Sequence, residues 1–332
     1  MGRHRGSSPG ISWLGVLFIV IGGATLAGVA VLAWQISSGR LTVPGLASIR
    51  PSPAFPADAL VSPTREGVSL RVSPVPRPDV PALRRLMLEL INQERRQRGL
   101  SQLAWDDTAA VVGYEQAHEM ARLGYMNHWN TKGYGPDYRY TLAGGLDSVR
   151  ENVYLYQHSQ GGGPQSAADW ETFVRDAHQA LMASPRHRDN ILAPAHTHVG
   201  IGMAYRSEEG RFAVAQAFVG RYLTLTPLPR RISVGETVLV SGALRPNLTG
   251  PFVELAYQPL PQARSVTDLR QHGYDPDIDT CLLVPLLVDD EGRFSGRVTL
   301  DWEGRPGLYH VRIWGDADVG QVLAADVVVE VR

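Results

Sequence analysis

Pro81-Ala82-Leu83-Arg84-Arg85-Leu86-Met87-Leu88-Glu89-Leu90-Ile91, continuing through Arg95 and Arg96 to Gly99, marks where the folded part of this chain begins. Leu83, Leu86, Met87, Leu90 and Ile91 recur at helical spacing, while Arg84, Arg85, Glu89, Arg95 and Arg96 take the other faces. Proline in the first turn sacrifices no intrahelical hydrogen bond, and Gly99 suits the left-handed end of a helix. Downstream, Asp106 or Asp107 can cap a second helix carrying Ala110, Val111, Ala117, Met120 and Ala121. A third helix is expected from about Ser166 to Ala183, with Trp170, Phe173, Val174, Ala177 and Leu181 on its buried stripe. Strand-like runs lie at Asn152 to Tyr156, Val199 to Tyr205 and Phe212 to Val219. Helices alternating with an antiparallel sheet predict a layered α+β domain over residues 81–221.

From residue 222 to 332 the pattern changes. Thr237 to Ser241, Phe252 to Tyr257, Leu282 to Val288, Phe294 to Leu300, Leu308 to Trp314 and Ala325 to Val331 read as short strands. Turns such as Asp289-Asp290-Glu291-Gly292 and Gly304-Arg305-Pro306-Gly307 divide them. This spacing predicts an all-β, immunoglobulin-like sandwich acting as an adhesion or spacer module, with no cluster of titratable residues. Pro259 to Thr280 is a long polar insertion, either a carrier of specificity or a loose loop.

Upstream, residues 1–10 include Arg3 and Arg5 and form a cytoplasmic tail. Residues 11–34 contain no charged side chain and have Trp13 and Trp34 near their ends. At about 1.5 Å per residue such a run spans a hydrocarbon core of about 30 Å, and the flanking arginines place the N-terminus inside. A single-pass transmembrane helix is expected, with the C-terminal domains extracytoplasmic; a cleaved signal peptide is the competing reading. Residues 35–80 carry eight prolines from Pro44 to Pro78 and form a Pro-rich linker. Within it Val68-Ser69-Leu70-Arg71-Val72 alternates and could pair with a sheet edge.

The composition narrows the function. In 332 residues the formal net charge is −1, which supplies no basic excess to neutralise phosphates, so nucleic acid is not an expected partner. Cys281 is the only cysteine, so no intramolecular disulfide forms and no cysteine nucleophile serves a site.

Several ordered pieces between Leu90 and Phe218 carry a resemblance. They are Leu90-Ile91-Asn92-Gln93-Glu94-Arg95, Leu103-Ala104-Trp105-Asp106, Tyr125-Met126-Asn127-His128, then Arg139 and Gly144, and Glu151-Asn152-Val153. Last come Ser184-Pro185-Arg186-His187-Arg188-Asp189-Asn190-Ile191-Leu192 and Val199-Gly200-Ile201-Gly202. This set resembles the bacterial, SCP-like extracellular branch of the CAP superfamily, named for cysteine-rich secretory, antigen 5 and pathogenesis-related proteins. The resemblance implies an α/β/α sandwich with a cleft holding two histidines and two acids. His128, Glu151 and His187 match three of these. The second acid would fall near Ser184, where there is no carboxylate, and Glu171, Asp176 or His178 could substitute.

Two imidazoles and a carboxylate from separate elements suit a divalent ion such as zinc, with His128 and His187 as its ligands. The plainer alternative is that the three side chains only tie loops together. Proton competition would weaken such a metal as the pH falls through about 6–7. His196 and His198 could form a second pair or be exposed loop residues, and His118 reads as structural. No His-Glu-x-x-His element occurs, and Ser184 lacks a triad. The expected function is a membrane-anchored binding module at the cell envelope, engaging a lipid, glycan or protein, rather than an enzyme. A metal-dependent hydrolase of envelope peptide or glycan is the alternative, and a purely structural envelope protein the third.

Overall fold

A computed structural model describes residues 78–157, 164 and 166–332. The expected transmembrane segment, most of the linker and the Val68 to Val72 run lie outside these residues. Among the described residues no helix is long and apolar enough to cross a membrane.

Helix α1, Val80–Arg96, starts where the Asp79 side chain accepts from the Ala82 amide at 3.1 Å. It buries Leu83, Met87 and Ile91, as the periodicity requires, but also Arg95, which was expected on a solvent face. The Arg95 guanidinium donates to the carbonyls of Ser101 at 2.8 Å, Ile191 at 2.8 Å and Ala193 at 2.9 Å. A buried cation is tolerated because carbonyl oxygens surround it. Strand β1, Ala104–Trp105, leads into α2, Asp107–Leu123, capped by Asp106 through the Ala109 amide at 2.8 Å and closed by left-handed Gly124. Two short helices that the residue pattern had not shown follow the same logic, each with proline in its first turn. They are α3, Pro136–Leu142, and, after β2, Ser148–Gln157, and α4, Ala167–Ala183, the helix α5, Pro185–Ile191. Ser166 and Asp169 form a reciprocal capping box at the start of α4.

With β3, His198–Arg206, and β4, Arg211–Gly220, the first sheet has the order β1-β3-β4-β2. One face carries Val199, Ile201, Met203, Phe212, Val214 and Phe218 against α1, α4 and α5. The other face is built of glycine and alanine, and α2 lies almost on the strands. A Cβ on Gly200 would come within 2.0 Å of the Ala110 nitrogen, and one on Gly202 within 2.0 Å of the Gly113 carbonyl carbon. The Gly200-x-Gly202 spacing therefore records a close backbone approach. Helices on both faces of this sheet make the α/β/α layering.

The remaining strands are β5, Leu223–Leu225; β6, Arg231–Ile232; β7, Thr237–Leu244; and β8, Thr249–Gln258. After helix α6, Val266–Gln271, come β9, Asp279–Pro285; β10, Leu287–Val288; β11, Arg293–Thr299; β12, Gly307–Ala317; and β13, Gly320–Val331. They form two sheets, β10-β11-β7-β5 and β6-β13-β12-β8-β9, around a shared core that includes Val240, Val253, Phe294, Tyr309, Val311 and Val329. The strand expected from Leu282 to Val288 is two strands in different sheets. Pro285 has no amide to continue the ladder, and buried Leu286 makes the crossing.

The polar insertion is not a loose loop. Leu269 of α6 is buried among Ala117, Met120, Tyr125 and Trp129 of the α/β/α domain. Asn127 donates to the Leu269 and His272 carbonyls at 3.0 and 2.7 Å, satisfying the end of α6. In return Arg270 donates to Gly124 and Leu123 carbonyls at 2.8 and 3.0 Å, at the end of α2. Arg264 lies over the Trp129 ring at 4.8 Å. A second seam joins α3 to β13, where the Val328 amide donates to Thr141 Oγ1 at 3.2 Å and Tyr138 to Glu330 at 3.3 Å.

Candidate functional site

Strand β2 is an edge of the first sheet, so side chains on the two faces can meet around it. Alternation along the strand sends Glu151 and Asn152 to opposite faces. Glu151 turns toward α3 and the loop after α2. Its carboxylate takes His128 Nδ1 at 2.9 Å and Arg139 Nη2 at 3.1 Å on Oε1 and 2.9 Å on Oε2. Arg139 Nη2 also donates to the His128 carbonyl at 3.1 Å. Asn152 donates to the His187 carbonyl at 3.0 Å, tying α5 to the strand.

Burial alone would raise the Glu151 carboxyl, but the Arg139 guanidinium and then His128 hold it below the usual carboxylate range. The His187 ring is pushed down to about 4, first by burial and then by the charges of His128 and Arg186, and is neutral at ordinary pH. Since a carboxylate only accepts, the His128 Nδ1 atom is the donor in this contact. The sequence-expected residues thus sit at one place: His128 and Glu151 in direct contact, His187 within electrostatic reach.

The fourth position differs from expectation. Glu171 pairs with Arg175 on an exposed helix face, Asp176 is exposed, and His178 is buried with neither ring nitrogen hydrogen-bonded. Ser184 links α4 to α5 as a cap residue. What faces Glu151 is a cation, Arg139. Its role was missed, although an unpaired Glu151 due for burial was a signal that a positive group had to meet it.

The insertion after β8 completes the site wall. Tyr274 meets the His128 ring edge-on at 5.3 Å and the Trp129 ring at 4.6 Å. Burial and then Asp137 push its phenol far above the ordinary value. His196, expected in an exposed loop or a metal pair, is instead buried, stacked on Phe218 at 5.2 Å and bonded through Nε2 to Asn190 Oδ1 at 2.9 Å. His198 is half-buried and takes Thr197 Oγ1 at 2.8 Å. His118, expected to be structural, is exposed beside the Tyr114 ring at 5.8 Å.

Among the described residues, one group of three side chains brings metal-ligating atoms within 4.8 Å of one another, namely Asp137, His310 and Asp326. The β-domain therefore does contain a titratable cluster, contrary to the sequence expectation. It is formed across α3, β12 and β13, whose separation along the chain hid it. His128, Glu151 and His187 do not form such a group.

The profile of the CAP family, the cysteine-rich secretory protein family, matches residues 88–222. The uncharacterized protein YkwD of Bacillus subtilis is 26% identical over 142 residues, 43% of this chain and 49% of that protein, so the chain spans about half the length of this curated relative. Among solved structures, an extracellular protein containing an SCP domain from Bacillus anthracis is 22% identical, with a TM-score of 0.34, covering 42% of this chain and 41% of that one. An outer surface protein from Borrelia burgdorferi is 17% identical with a TM-score of 0.36, covering 43% and 96%. The CAP domain of enterococcal PrgA is 18% identical with a TM-score of 0.31, covering 42% and 60%. With its motifs in order, its helices on both faces of one sheet and its family match, the part of the chain from residue 88 to residue 222 is a CAP domain, similar to that of a bacterial relative.

Proposed function

We propose that this chain is a membrane-anchored envelope protein whose CAP cleft is a binding site. In this reading residues 11–34 hold it in the membrane and residues 35–80 space it from the surface. Residues 81–221 form the CAP domain, and residues 222–332 form an immunoglobulin-like sandwich that buttresses the cleft. The ligand is a lipid, glycan or protein of the envelope, and His128 and His187 bind a divalent ion such as zinc.

The supporting observation is the state of Glu151. Its carboxylate is occupied by Arg139 and His128, so it orients the imidazole and is not free to take a proton from water. That favours binding over the metal-dependent hydrolase. In this reading the ion is held by His128 Nε2 and the His187 ring, with Glu151 supporting His128 from behind as carboxylates commonly support metal-bound histidines. When bound, zinc would supply a Lewis-acidic point for an oxygen of the ligand.

Titration of zinc into the full chain by calorimetry, repeated with His187→Ala and His128→Ala, tests this. The expected result is loss of the corresponding binding heat in both variants. Unchanged heats would overturn the metal assignment, and turnover of an envelope peptide or glycan that disappears in folded Glu151→Gln would favour the hydrolase.

A further inference from the structure

A largely buried anionic cluster lies on the seam between the two domains, beside the cleft wall made by Tyr274. Asp137 comes from α3 of the CAP domain, His310 from β12 and Asp326 from β13. His310 is fully buried, and its Nδ1 is approached by two carboxylates at once, Asp326 Oδ1 at 3.0 Å and Asp137 Oδ2 at 3.3 Å. Its other nitrogen, Nε2, lies 3.1 Å from Gln258 Oε1.

One Nδ1–H bond points along a single direction and cannot serve two carboxylates well. Among the described residues Asp137 makes no hydrogen bond: besides its longer-range action on Arg312 and Tyr274, it has this approach to a nitrogen already bonded to Asp326. A cation at the common vertex would satisfy all three atoms. Zinc binds imidazole nitrogen and carboxylate oxygen at about 2.0–2.2 Å, so donors around a tetrahedral ion stand about 3.3 Å apart. The observed 3.0 and 3.3 Å separations are already close to that spacing.

Charge points the same way. Asp326, Glu254 and Asp137 all act on a single guanidinium, Arg312, with Asp326 at 3.2 Å and Glu254 at 3.5 Å. Three carboxylates against one arginine leave two negative charges, which one divalent ion neutralises. The surrounding contacts also suit a ligand shell. With an ion bound, Gln258 Oε1 would accept from Nε2–H and leave the Nδ1 lone pair for the ion, while Arg312 steadies the second oxygen of Asp326.

We propose that Asp137, His310 and Asp326 bind one divalent transition-metal ion, zinc or manganese, that staples the CAP domain to the β-sandwich. Mixed imidazole and carboxylate donors favour these ions over calcium or magnesium. Asp137 lies two residues before Arg139, so the staple anchors the short helix that presents the cation facing Glu151.

The test uses the full chain carrying His128→Ala and His187→Ala, so that the cleft contributes no metal, and its outcome is independent of the function proposed above. After chelator treatment, reloading with zinc and exhaustive dialysis, elemental analysis should find one zinc per chain. Zinc should also raise the melting temperature by several degrees. Adding Asp137→Asn, which keeps the shape of the side chain, should abolish both effects, and Gln258→Ala should weaken binding about 10–100-fold. No retained zinc or manganese, with melting unchanged by metal or chelator, would overturn the site in favour of a protonated His310 held by ion pairs. Full zinc retention in a folded Asp137→Asn chain would overturn it equally. If that variant does not fold, the metal content and chelator response of the parent decide.

Discussion

Glu151→Gln keeps the outline of the side chain and removes its charge. Both members of the affected pair are withdrawn from water, the Glu151 and Arg139 side chains being 1% and 4% exposed. Arg139 Nε and Nη1 are buried without an acceptor, so the guanidinium is satisfied through Nη2 alone, on both Glu151 oxygens and the His128 carbonyl. Removing the anion leaves a buried cation with no counter-charge, which costs about 3–5 kcal/mol. For a chain of this size that is a fall in Tm on the order of 10 °C. Replacing both partners, as in Glu151→Gln with Arg139→Met, should lose much less than the sum of the two single changes, because no charge is then stranded. The pH dependence has a definite sign. The folded carboxyl is held below its ordinary range, so its contribution is complete above the unfolded value and disappears as the pH falls through the depressed folded value. The gap between wild type and Glu151→Gln should therefore narrow in acid. Urea unfolding of the full chain, from near neutral pH downward, measures both effects. A gap below about 1 kcal/mol at neutral pH, the size expected of an exposed pair, would refute the reasoning. So would a double variant no better than the sum of its parts.

Two other changes probe how the site is built. Gly133 has φ +76°, and a Cβ there would come within 2.1 Å of the Gln262 carbonyl oxygen, so Gly133→Ala should lift the insertion off the CAP domain while leaving the sheets folded. Hydrogen exchange should then quicken across residues 259–278 and at His128, and unchanged protection would show that the insertion is not seated as described. His196 is pushed down to about 3 by burial and then by Arg150 and Arg95, from an ordinary value of 6.5. Its unfolded form takes up a proton first, so stability is lost as the pH falls from about 6.5 toward 3, at up to about 1.4 kcal/mol per pH unit. His196→Gln should flatten this part of the curve of Tm against pH, whereas parallel curves for the two proteins would remove His196 as the source.

Much of the CAP domain was legible along the chain because its signals are local. The stripe from Leu83 to Ile91, the caps Asp106 and Ser166, and the alternation of β3 and β4 each depend on residues within a turn or two of one another. The ordered motifs also located His128, Glu151 and His187 before any contact was known. Periodicity misjudged Arg95, because a pattern of charge is read as exposure, and only the fold brings the Ser101, Ile191 and Ala193 carbonyls around that guanidinium. The same holds for Arg139, whose partner Glu151 is twelve residues away on another element. The docking of Leu269 into a core more than a hundred residues upstream, and the meeting of Asp137 with His310 and Asp326, have no local signature at all. Helix stripes, caps and strand alternation are set by neighbours in the chain and could be read from it. Which buried charge meets which counter-charge is set by neighbours in space, and the tertiary structure alone decided that.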